Sequence, residues 1–160
     1  DQFAARLGPL VLVGPPCEDE GPGDAVGRWR YLTEDGSTPV AHNPLGQLLE
    51  AHVYPLLKKT RSGAFGSVVL VGRAESNDVC LRHSSISKLH ARVENERGAP
   101  SLRDADSRNG TFYDERRLAK GESVLLAAGH RIRFGDVQLT IFDPVRLHGM
   151  LGRFSANLET

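Results

Sequence analysis

Cysteine is scarce in this chain, and an excess of charge of either sign is missing altogether. Only Cys17 and Cys80 are present among 160 residues. Neither stands in a CxxC or disulfide-framework spacing, which excludes a disulfide-stapled scaffold. Both read as free thiols of a reducing compartment, so a cytoplasmic location is expected. Twenty basic and twenty acidic side chains cancel, which excludes a nucleic-acid coat or an anionic-membrane binder working through bulk charge. Neither nucleic acid nor membrane is expected as a partner. No apolar run approaches the roughly 18 residues of a membrane helix, and the first residues lack the basic and apolar regions of a signal peptide. Metal-ligand clusters and acid/base pairs are missing too, so no catalytic residue, metal or cofactor is assigned and the chain is not read as an enzyme. It opens on Asp1 rather than Met and is expected to be a trimmed piece of a longer polypeptide.

What is present is unevenly distributed. Residues 1–60 carry five basic and eight acidic side chains, and residues 61–143 carry thirteen and eleven, which places any anion site in the second part. Three regions are expected: an N-terminal extension over 1–60, a β-rich domain over 61–143, and a helix and tail over 144–160. In the extension, Leu10 to Val13 reads as a short buried strand. Gly14 to Gly23, rich in Pro and Gly, reads as an exposed loop. Arg28 to Leu32 alternates basic and aromatic residues and reads as a half-buried strand. Asn43 to Tyr54 is predicted to be an amphipathic helix, with Asn43 as cap, Pro44 in first position, and Leu45, Leu48, Leu49, His52, Val53 and Leu56 at helical spacing.

From Ser67 the pattern changes to closely spaced strands, which predicts an all-β sandwich or barrel. The strands expected are Ser67 to Val71, Asp78 to Leu81, Ala91 to Asn95, Pro100 to Arg103, Thr111 to Tyr113, Ser123 to Leu126, Arg131 to Phe134 and Val137 to Phe142. Gly135-Asp136 is a two-residue hairpin turn. Asp143-Pro144 caps and begins a closing helix with Leu147, Met150, Leu151 and Phe154 on one face.

The donors suited to a phosphate dianion lie between Gly72 and Thr111. Arg73 follows a strand end, and its planar fork suits bidentate phosphate contact. Ser87 and Lys88 bring a hydroxyl and an ammonium from one loop, with Arg82 and His83 near in sequence. The Asn109 amide can donate to and accept from the peptide bond of an extended ligand. Singly these are ordinary surface residues. A Ser87/His90 pair is no evidence of nucleophilic catalysis either, since three residues of loop set no geometry.

In order, Gly72-Arg73, Ser87-x-x-His90, Ser107-x-Asn109-Gly110-Thr111 and the Arg133-Phe134-Gly135-Asp136 hairpin resemble the forkhead-associated (FHA) domain over about Gly66 to Phe142. The resemblance implies an all-β, FHA-type sandwich of short antiparallel strands with flanking short helices. It also implies phosphothreonine-dependent binding of a protein or peptide in Ser/Thr kinase signalling, with a kinase or its substrate as partner. By position, Arg73 and Ser87 would contact the phosphate. Lys88 stands where the family often has Arg, supplying charge without the fork. Arg108 and Asn109 would line the ligand backbone, while Gly72, His90, Gly110 and Thr111 would support the site. Tyr113-Asp114-Glu115-Arg116 departs from the family's frequent Asn-Gly turn and leaves the turn type open. An alternative on the same fold is a phosphate-independent interaction or assembly domain that uses the flanking helices. The sandwich needs strands before the Gly-Arg strand, which Leu10 to Val13 or Arg28 to Leu32 could supply.

Overall fold

A computed structural model describes residues 7–15, 17, 51–59, 67–96 and 99–158. The strand at Arg28 to Leu32 and positions 43–50 of the expected helix lie outside them. The chain forms two facing sheets. One holds six strands in the order β2 (His52–Pro55), β1 (Val11–Gly14), β11 (Val137–Phe142), β10 (Arg131–Phe134), β7 (Thr111–Tyr113) and β8 (Arg116–Arg117). The other holds β4 (Val79–Cys80), β3 (Val69–Gly72), β5 (Ala91–Glu96), β6 (Ala99–Asp104) and β9 (Ser123–Leu125). All pairings are antiparallel except β3 with β4.

Alternation along the strands builds the core between the sheets. Val137, Leu139 and Ile141 of β11, Ile132 and Phe134 of β10, Val69 and Val71 of β3, and Leu102 of β6 point inward and are buried. β1 is apolar at every position because both its faces are covered. Leu12 joins the sandwich core, whereas Val11 and Val13 meet Leu147 of the closing helix α1 (Pro144–Leu158) in a second cluster. Asp143 caps that helix as expected: its carboxylate accepts the N–H groups of Val145 at 2.8 Å and Arg146 at 3.1 Å.

The stretch read as an extension thus supplies two strands, and β1 is the strand that Leu10 to Val13 was expected to form. Two local readings are overturned. His52 to Pro55 is not the end of a helix but the edge strand β2, paired with β1 in the register Val11 opposite Pro55 and Val13 opposite Val53. The β-branched and aromatic residues here suit a strand, and pairing with β1 outweighs the helical spacing. The Gly14-to-Gly23 segment is not wholly an exposed loop either, since Gly14 closes β1 and Cys17 is buried in the core. The Tyr54 hydroxyl pins it, accepting the Cys17 N–H at 3.1 Å and donating to the Pro15 carbonyl at 3.0 Å. Burial pushes the Cys17 thiol up to about 11. Both cysteines are free.

The open question of the 113–116 turn resolves as type I′. Tyr113 pairs with Arg116, and the two residues between them have positive φ, 45° at Asp114 and 68° at Glu115. Asp114 is compensated, because its carboxylate accepts the Arg131 N–H at 2.9 Å and meets His130 at 2.5 Å. Among the described residues Glu115 has only a 3.9 Å ion pair with Arg131. A side chain in this backbone region costs about 1–2 kcal/mol. Glu115→Gly is therefore expected to stabilise the domain by about 0.5–1 kcal/mol after the flexibility gained by the unfolded chain. Urea denaturation at neutral pH checks this, and an unchanged or lower midpoint would contradict it.

Candidate functional site

The strands present three loops at one end of the sandwich, and the residues expected to act together come together there. Arg73 follows β3, Ser87 and Lys88 lie between β4 and β5, and Arg108 and Asn109 lie between β6 and β7. All five line one surface pocket of about 270 Å³ with Ser84, Ser85 and Ile86. Among the described residues, three cations and no carboxylate line it.

Backbone pairing positions Arg73 against the loop it faces. Its N–H donates to the Ser87 carbonyl at 3.0 Å, and the next N–H, of Ala74, donates to the Lys88 carbonyl at 3.2 Å. This approach needs glycine at position 72, where a Cβ would fall 2.4 Å from the Lys88 carbonyl oxygen. The Arg73 Nε–H donates to the Ile86 carbonyl at 3.1 Å. That bond fixes the inner edge of the guanidinium and leaves its two terminal amino groups for a ligand.

Ser87 is defined at every polar atom. Its Oγ accepts the Arg108 N–H at 3.0 Å, so its own O–H remains available for donation to an anion. The Ser87 N–H donates to His90 Nδ1 at 3.0 Å. Because Nδ1 accepts, the proton of the neutral ring is on Nε2, which donates to the Gly110 carbonyl at 3.0 Å. The imidazole therefore takes the backbone N–H of Ser87 and not its hydroxyl, and no nucleophile–base pair exists here. Burial holds the fully buried His90 below the usual histidine range.

The Asn109 loop rests on a second node. The Asp104 carboxylate accepts Ser107 N–H at 2.9 Å, Ser107 Oγ–H at 2.6 Å and Thr111 Oγ1–H at 2.6 Å. Burial raises the Asp104 carboxyl, but these bonds outweigh it and hold the group below the usual range. Gly110 has φ +86°, and its carbonyl also accepts the Gly135 N–H at 3.1 Å. The Gly135-Asp136 turn thus braces the site from the opposite sheet. Asn109 donates through Nδ2 to the Ser85 carbonyl at 2.7 Å, while Ser85 Oγ accepts the Asp136 N–H at 3.0 Å.

Sequence reasoning missed Asn77, Ser85 and Asp104. Asn77 is buried and donates through Nδ2 to the carbonyls of Ala74 at 2.9 Å and Lys88 at 2.6 Å, locking the two loops together. Asp104 carried a usable signal, since Asp three residues before Ser is a turn-forming spacing. Ser85 and Asn77 carried none, because the contacts that brace the site, from the Asp136 N–H to Ser85 Oγ and from Asn77 Nδ2 to the Lys88 carbonyl, join positions remote in sequence.

The folded protein keeps His90 neutral, whereas the unfolded chain protonates it near pH 6.5. The unfolded state therefore binds more protons below that pH. Stability is complete above about pH 6.5 and falls as the pH drops below it, with Asp104 adding a separate loss below about pH 4. NMR titration of the imidazoles is expected to place the His90 midpoint below the ordinary histidine value, and a midpoint above it would refute the neutral-ring assignment.

The sequence pattern of the FHA domain matches residues 69–135, from β3 to the bracing turn. Kanadaptin of Homo sapiens is 33% identical over 87 residues, covering 48% of this chain and 12% of kanadaptin. An FHA domain-containing protein of Arabidopsis thaliana is 33% identical over 72 residues, covering 44% of this chain and 19% of its own. The chain thus spans less than a fifth of these curated relatives. Among solved structures, the FHA domain of an Arabidopsis thaliana hypothetical protein is 30% identical with a TM-score of 0.46, over 49% of this chain and 68% of that one. Mycobacterium tuberculosis EmbR, solved with a low-affinity phosphopeptide, is 25% identical with a TM-score of 0.47, over 57% and 22% respectively. Through the sandwich of residues 69–135 and the loops it carries, the chain belongs to the forkhead-associated (FHA) domain family.

Proposed function

We propose that this loop cluster binds phosphothreonine-containing segments of other proteins, as an interaction module in Ser/Thr kinase signalling. The carrying observation is the convergence of Arg73, Lys88, Arg108 and the available Ser87 hydroxyl on one pocket that no carboxylate among the described residues lines. Arg73 offers its two terminal amino groups to the phosphate, Ser87 its O–H, and Lys88 a point charge. Asn109 keeps its carbonyl oxygen and second amide N–H for the ligand backbone, and Arg108 shares that wall. Gly72, His90, Gly110 and Thr111 act beneath, by fixing the two loops.

The phosphate ester is held and not broken, which suits a site with donors but no base on the Ser87 hydroxyl. The phosphate-independent alternative has less support, because Leu147 of α1 is already buried against β1. The partner would be a kinase substrate or the kinase itself. No helix among the described residues is long and apolar enough to cross a membrane.

Fluorescence anisotropy with a degenerate phosphothreonine library against its unphosphorylated counterpart tests the proposal. Wild type is expected to bind only the phosphorylated set. Losing one charge-assisted contact, worth about 1.5–3 kcal/mol, lowers affinity roughly ten- to hundredfold in Arg73→Ala. Phosphate-independent binding, or Arg73→Ala binding as wild type, would sink the reading.

A further inference from the structure

Among the described residues, three serines line the pocket that gathers Arg73, Lys88 and Arg108, and two of them are engaged. Ser85 Oγ meets His83 Nδ1 at 2.8 Å and accepts the Asp136 N–H at 3.0 Å. Nδ1 also accepts the Ser85 N–H at 3.2 Å, so the Ser85 hydroxyl is spent as a donor to it. Ser87 Oγ accepts the Arg108 N–H at 3.0 Å. Ser84 differs from both: it is exposed, and its hydroxyl has no hydrogen-bond partner among the described residues. It stands at the corner of a β-turn that the Ile86 N–H closes on the His83 carbonyl at 3.0 Å. The pocket side of that turn is pinned, because the Ser85 carbonyl accepts Asn109 Nδ2 at 2.7 Å and the Ile86 carbonyl accepts the Arg73 Nε–H at 3.1 Å. A group carried by Ser84 is thus held at a rim it shares with three cations, where no carboxylate among the described residues competes.

We propose that Ser84 is a phosphorylation site whose phosphate occupies this pocket in place of a phosphopeptide, which rests on the phosphopeptide reading of the site. A separate Ser/Thr kinase supplies the group from ATP. The bond from the γ-phosphorus to the ADP oxygen breaks, the bond from that phosphorus to Ser84 Oγ forms, and the hydroxyl proton is released as ADP leaves. Arg82, exposed two residues earlier, gives the acceptor a basic flank for a kinase to read. The product carries a charge of about −1.5 to −2 and three acceptor oxygens, the chemistry that the pocket's donors suit. Its tether is short, which sets an effective concentration of about millimolar, so a free partner must displace it rather than simply arrive. Two dianions cannot share one set of donors, because each raises the cost of the other.

The folded chain is first incubated with ATP and an arginine-directed Ser/Thr kinase, and the phosphate is mapped by mass spectrometry. It is expected on Ser84 and not on Ser85 or Ser87. The chain with phosphoserine incorporated at position 84 is then compared with the unmodified chain. Its affinity for the phosphothreonine library should fall about ten- to hundredfold, the range of one lost charge-assisted contact, and phosphatase treatment should restore it. By phosphorus NMR the second ionisation of the Ser84 phosphate should fall below about 6, its ordinary value, and return there in Arg73→Ala. No phosphate on Ser84, affinity equal to that of the unmodified chain, or a midpoint that Arg73→Ala leaves unmoved overturns the inference and leaves the phosphopeptide site standing. A lowered midpoint that depends on Arg73, in a chain whose unmodified form binds no phosphopeptide, overturns the phosphopeptide reading instead and leaves the phosphate seated in the pocket.

Discussion

The site depends on one neutral imidazole. His90 makes four hydrogen bonds: its N–H to the Val71 carbonyl at 2.8 Å, its carbonyl from the Ala105 N–H at 2.9 Å, Nδ1 from Ser87 and Nε2 to Gly110. It thereby joins β3, the end of β6 and the two loops of the candidate site through a single buried residue. Its ring stands edge-on to Phe134 at 5.5 Å, so the core of the sandwich sets its orientation. A buried polar group left without partners costs more than its bonds gain, which gives the two loops a shared reason to keep one geometry.

Charge is arranged to the same end. Beneath the loops, Asp104 is surrounded by hydroxyl and amide donors rather than cations, so it fixes Ser107 and Thr111 without neutralising the arginines above. Above them, Arg73, Lys88 and Arg108 face one pocket. Arg73 is anchored at Nε alone, which orients its fork while sparing the atoms that would meet an anion. Lys88 has no such fork and brings charge without direction.

Most of the second half of the chain was legible because its strands alternate strictly and its turns contain glycine. β7, β10 and β11 fall on the residues the alternation indicates, and the Gly135-Asp136 turn joins the last two. β8 was not foreseen, since Arg116 and Arg117 carry no apolar signal and depend on the strained Asp114-Glu115 turn to bring them beside β7. β2 was misread because Leu56 and its predecessors fit a helical stripe as well as a strand, and only the partner β1 decides between them. Within the site, Arg73, Ser87 and Asn109 were readable by residue type. Asn77 and Ser85 were not, because carbonyl and amide partners leave no mark on a sequence.

The site's three cations belong to a chain whose formal charge sums to zero. At physiological ionic strength a field decays over about 8 Å, and with no net charge behind it the pocket exerts little pull beyond that distance. An anion bound there would therefore arrive by ordinary diffusion, and discrimination would fall to how long it stays rather than how fast it arrives. Such a surface would sort ligands by residence time, with little tendency to collect unrelated polyanions from its surroundings.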